Sequence, residues 1–96
     1  MPKVLAAAIG LAVIAAAVAA WAEPPAGAAS CSGCHPASTH VTSPVPRLTG
    51  LDRAAIIKAM QDFRSGARPG TVMDRIAKGF TDPEIQAIAA WYAAQK

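Results

Sequence analysis

Within the 96-residue chain, Cys31-Ser32-Gly33-Cys34-His35 is the stretch that most restricts what can fold around it. C-x-x-C-H is the spacing that attaches a c-type haem. Two thiols three positions apart sit on one turn, so both can add to the two vinyl groups of one porphyrin. The imidazole that follows then lies under the iron as its proximal ligand, and the small Ser32 and Gly33 leave room for the macrocycle edge. Other uses of two cysteines fit less well. A thioredoxin-like C-x-x-C belongs inside a βαβ pattern, which this chain lacks. A zinc site takes four ligands in separated pairs, and beyond Cys34 and the adjacent His35 only His40 is left. A structural disulfide is the plain alternative for an exported protein.

The N-terminus leads us to expect export. Lys3 gives a short positive region, residues 4–20 are an unbroken apolar run, and Ala20-Trp21-Ala22 offers an A-x-A cleavage site. Residues 1–22 are therefore expected to be a signal peptide that delivers the chain to the periplasm, with an uncleaved membrane anchor as the alternative. Export suits the motif, because bacteria attach haem covalently outside the cytoplasm.

Residues 23–96 then form one small domain. Much of the 53% hydrophobic content belongs to the leader. A domain of this size seldom buries enough apolar surface to be stable unaided, and a covalent porphyrin would supply the missing centre. Loss of Lys3 takes the net charge from +3 to +2, with basic residues interleaved among acids and hydrophobes. That is not the massed basic face of a nucleic-acid binder.

Residues 26–34 are expected to form a short helix that delivers the thiols. Pro36, Pro44 and Pro46 then forbid a regular helix over 35–50, and a loop this long usually wraps something. Asp52 is a good N-cap for a helix to Ser65 ended by Gly66, with Ile56, Ile57, Met60 and Phe63 as its apolar stripe. Residues 67–72 read as a second loop and 73–77 as a brief helical turn. Thr81-Asp82-Pro83-Glu84 reads as a capping box opening a last helix, with Ile85, Ile88, Ala89 and Tyr92 on one face. Nothing alternates like a strand, so the expected fold is all-α.

The sixth iron ligand has three candidates. Met60 sits in a core stripe, and His40 follows His35 too closely to cross the porphyrin easily. Met73 follows a Pro/Gly loop with ample chain to wrap around, and is preferred. Axial His35 and Met73 would raise the reduction potential and leave no open position, which means electron transfer rather than catalysis.

The order C-x-x-C-H, Pro46-Arg47-Leu48, Phe63-Arg64-Ser65-Gly66, Met73-x-x-Ile76-Ala77 and Ile88-Ala89-Ala90-Trp91-Tyr92 resembles the class I cytochromes c. The resemblance implies that the Pro46 carbonyl accepts a hydrogen bond from the proximal imidazole and that Leu48 packs on the ring. Residues 63–80 are similar to the single-haem cytochrome subunit of flavocytochrome c sulfide dehydrogenase. That implies a periplasmic electron-transfer subunit for a sulfide-oxidising FAD flavoprotein, which would hold all the substrate chemistry. A free periplasmic carrier is the alternative. Arginines outnumber lysines over residues 23–96, five to three, which leans toward a stable interface. Thr39, Val41, Pro44 and Val72, flanked by Arg47 and Arg68, are the expected docking face. Replacing both Cys31 and Cys34 by alanine is expected to leave a colourless, largely unfolded chain. In the wild type, acid–acetone should fail to extract the haem, and the pyridine haemochrome should be of c type.

Overall fold

The computed structural model describes residues 23–95; the leader assigned to residues 1–22 lies outside the described residues. Four helices follow in order: α1 (Ala28–Cys31), α2 (Arg53–Ser65), α3 (Met73–Ala77) and α4 (Asp82–Ala94). The described residues contain no strand, and the fold is all-α as expected.

Local chemistry sets most of the boundaries. The Asp52 carboxylate accepts the Ala55 amide at 3.1 Å and opens α2. Gly66, at φ +85°, closes it in the left-handed conformation that favours glycine. Thr81 and Glu84 form a reciprocal capping box at the start of α4. The Thr81 hydroxyl accepts the Glu84 amide at 3.3 Å, and a Glu84 carboxylate oxygen accepts the Thr81 amide at 2.9 Å.

The first helix is shorter than its sequence suggests, Ala28–Cys31 rather than 26–34. Gly27, at φ +87°, stops it on one side. On the other, the Ser32 amide turns to the Ser30 carbonyl and leaves the helical ladder. Gly27 is also a close approach: a Cβ there would lie 2.6 Å from the Phe80 ring. Glycine thus lets the haem-motif segment press on the turn before α4.

α4 packs on both α1 and α2, while α3 packs on α2. The contiguous core is small: Ala28, Ile56, Ile88, Ala89 and Tyr92, with Leu48, Ile57, Phe80 and Trp91 packed partly against it. Ile85, Ile88, Ala89 and Tyr92 are the buried residues of α4, matching the predicted face. Arg64, near the end of α2, donates to the Phe80 carbonyl at 3.2 Å and pairs with Asp82. It thereby ties α2 to the α3–α4 turn.

Glu84 titrates below the usual glutamate range because Thr81 hydrogen-bonds its charged form, the backbone amide first and the hydroxyl second. A carboxylate with a lowered folded-state pKa stabilises the fold above its unfolded pKa, and that contribution is lost as pH falls through the folded value. Thr81→Ala should cost about 1 kcal/mol at neutral pH, measured by thermal unfolding. The gap from wild type should narrow as Glu84 protonates in acid.

Candidate functional site

The core is hollow. A cavity of about 800 Å³ opens between the cysteine-histidine turn, the 44–48 loop and helices α2, α3 and α4. Small-molecule and cofactor sites span about 300–1,000 Å³, so its size suits a large planar group. The lining is mainly apolar, from residues such as Leu48, Ile56, Phe63, Phe80 and Ile88.

Cys31, Cys34 and His35 all line this cavity. Their turn is set by two bonds to one acceptor: the Cys31 carbonyl takes the Cys34 amide at 3.2 Å and the His35 amide at 2.9 Å. Both cysteines are free thiols. Partial burial pushes the Cys31 thiol up, opposed by weaker hydrogen bonding from its own backbone and from Ser30.

His35 Nδ1 lies 2.6 Å from the Pro46 carbonyl oxygen. A carbonyl can only accept, so Nδ1 carries the proton and Nε2 keeps a free lone pair. That is the tautomer a metal requires, held by a backbone group that also fixes the ring's direction. Leu48 lines the cavity two residues later.

Both Met60, from α2, and Met73, the first residue of α3, line the same cavity. His40 is exposed on the loop and is not among the lining residues. Val41 and Val72 are each 54% exposed. Arg47 departs from expectation. It is half-buried, donating to the Ala37 carbonyl at 3.3 Å and to the Thr49 hydroxyl at 2.9 Å. It braces the two ends of the proline-rich loop instead of edging a docking face. The donor was in the sequence, but an acceptor ten residues away in an irregular loop leaves no periodic signal. Arg68 is exposed and lies over the Phe63 ring, 4.8 Å from its centroid.

The cytochrome subunit of sulfide dehydrogenase from Chlorobaculum tepidum is 41% identical over 63 residues, covering 66% of this chain and 57% of that protein. The thiosulfate dehydrogenase electron acceptor of Thiomonas intermedia is 37% identical over 98 positions, covering 100% of this chain and 45% of that protein. Cytochrome c-554(548) of Halomonas halodenitrificans is 32% identical over 71 residues, covering 70% of this chain and 86% of that protein. The chain belongs to the class I cytochromes c. No family model matches it. The chain spans about half the length of the first two relatives.

Membership implies a covalently bound haem c, and the relatives are electron-transfer cytochromes or cytochrome subunits. The site fits that group on its own terms: two free thiols, an imidazole with one nitrogen left free, two thioethers and an apolar chamber. Among the described residues no cluster of three His, Cys, Asp or Glu could hold a metal ion alone.

Side-chain removal separates the two methionines. Met73→Ala is expected to abolish the oxidised protein's thioether-to-iron charge-transfer band and to lower the reduction potential. Met60→Ala should keep the band and lose about 2 kcal/mol of stability, the low end for a buried methionine, because Met60 is only partly buried. The reverse pattern would give the role to Met60.

Proposed function

We propose that the chain is a single-haem periplasmic electron-transfer subunit of a flavoprotein dehydrogenase that oxidises sulfide. The observation that carries this reading is the 41% identity to a cytochrome subunit of sulfide dehydrogenase. One haem follows from one C-x-x-C-H motif and two cysteines in all. Cys31 and Cys34 would hold it through thioethers, and His35 and Met73 would ligate its iron. Residues 1–22 serve as the export signal and 23–96 as the cytochrome domain.

The bound haem supplies a one-electron iron couple. The chain's own residues tune and protect it. The Pro46 carbonyl keeps His35 deprotonated at Nε2 and strengthens it as a donor. The Met73 sulfur favours the reduced iron and so raises the potential. Leu48, Ile56 and Phe63 give the chamber an apolar lining, which would limit solvent rearrangement when the charge changes.

Electrons are proposed to arrive from an FAD partner docked at the loops around the cavity. Val72 lies at the cavity's lining and Val41 outside it, both exposed. An apolar centre with arginine at its edge is the composition of a durable interface. With Arg47 turned inward, Arg68 is left as the edge cation of that face.

A second reading is a free periplasmic carrier. It is favoured by similarity along the whole chain to an electron acceptor of thiosulfate dehydrogenase and by the match to cytochrome c-554(548). Gel filtration of material from the native host separates the two. The subunit reading expects flavin to co-elute with the haem and sulfide to reduce it. Val41→Glu should weaken that co-elution and leave the haem spectrum unchanged. A lone cytochrome peak, without flavin and without sulfide-driven reduction, would refute the subunit reading and leave the carrier.

A further inference from the structure

The Tyr92 hydroxyl is a polar group buried in the helical core. Tyr92 is 2% exposed, yet its oxygen meets two partners on the haem-motif segment. One is the Ala28 carbonyl of α1. The other is the hydroxyl of Ser32, at 2.8 Å, which lies between the two cysteines.

Donor counting fixes the direction of both bonds. A carbonyl only accepts, so the single phenolic proton goes to Ala28. The Ser32 hydroxyl must then donate to Tyr92. Each bond in such a chain polarises the next. Ala28 needs the partner: in a continuing helix its carbonyl would take the Ser32 amide, but that amide has turned to Ser30. Tyr92 therefore caps a one-turn helix that could not persist alone, and through Ser32 it grips the turn carrying both thiols.

We infer that Tyr92, together with Ser32, is a positioning residue for the Cys31–His35 turn, setting where the two sulfurs and the proximal imidazole stand. The inference rests on the assignment of Cys31, Cys34 and His35 as the haem-holding residues. Packing alone would not need the hydroxyl. Phenylalanine fills the same space, and the T-shaped contact of the Tyr92 ring with Trp91, 4.9 Å between centroids, involves no oxygen.

The test uses full-length chain loaded by the cell's haem-attachment machinery, comparing wild type, Tyr92→Phe, Ser32→Ala and Thr81→Ala. The last loses stability at the far end of α4 without touching the turn. Three readouts are taken: the reduction potential, the pyridine haemochrome band, which moves when one vinyl group stays unsaturated, and amide exchange at Cys34 and His35. Tyr92→Phe should shift the potential, yield some singly attached product and speed exchange at those two amides about fivefold beyond the Thr81→Ala protein, the effect of one lost hydrogen bond. Ser32→Ala keeps the Tyr92–Ala28 bond and should show a smaller change of the same kind. If Tyr92→Phe matches Thr81→Ala in all three readouts, the hydroxyl is only part of the core and the inference is overturned. If Tyr92→Phe yields no loaded protein, Ser32→Ala decides: wild-type potential, band and exchange overturn the inference, and a shift supports it. A wild-type chain without covalent haem would instead refute the underlying assignment.

Discussion

The fold depends on a core that the chain cannot fill by itself. Among the described residues, Ala28, Ala77, Ala89 and three isoleucines join Tyr92 as the buried apolar residues, around a chamber of about 800 Å³. Buried apolar area stabilises at about 25 cal/mol per Å², and for the residues facing that chamber this gain depends on what they pack against. A haem bonded to two thiols converts their exposed faces into an interior. The covalent link matters physically, because it keeps the filler from leaving when the small fold opens. Ligand and hydrophobic core are then one object, and loss of the group is loss of the domain.

Within that frame, rigidity is concentrated on the His35 side. The Pro46 carbonyl fixes the imidazole, and Arg47 cross-links the loop on either side through Ala37 and Thr49. Shorter bonds fold the loop between: the Ser38 hydroxyl accepts the His40 amide and the Ser43 hydroxyl accepts the Val45 amide, each at 3.1 Å. The Gly50 amide reaches the Tyr92 carbonyl at 3.0 Å and anchors the loop's end to α4. A proline-rich segment without a helix is thus pinned at several points, by short hydrogen bonds within it and by its last amide to α4.

What the sequence disclosed followed the range of each interaction. Caps act over three residues, so Asp52, Gly66 and the Thr81–Glu84 box were legible, and with them α2 and α4. The apolar face of α4 has helical period and was legible too. C-x-x-C-H named its own chemistry. Bonds between distant residues were not legible. Ser32 and Tyr92 lie sixty positions apart, and period analysis counts Tyr92 as apolar, which hides its oxygen. Arg47 read as a surface cation because nothing local shows that Ala37 folds back toward it. The shortened α1 has the same origin: Ser32 leaves the helical ladder where a contact from α4 can take its place.

The Met73 side is built on a different principle. α3 has five residues, too few to be helical on its own account. Its position comes from packing on α2 and from Arg64, which holds the Phe80 carbonyl and Asp82 just beyond it. The loop before it is kept close by the contact of Arg68 with Phe63 and by Gly70, where a Cβ would lie 3.0 Å from the Phe63 ring. A neutral thioether is a weaker iron ligand than an imidazole, so under the proposed ligation the geometry at Met73 would come from tertiary structure more than from the bond itself. Phe63 and Arg64, consecutive at the end of α2, divide that work: the ring seats the loop before Met73, and the guanidinium seats the turn after it. Under the proposed ligation, the end of α2 is therefore where the stability of the fold and the tuning of the iron would be most closely coupled.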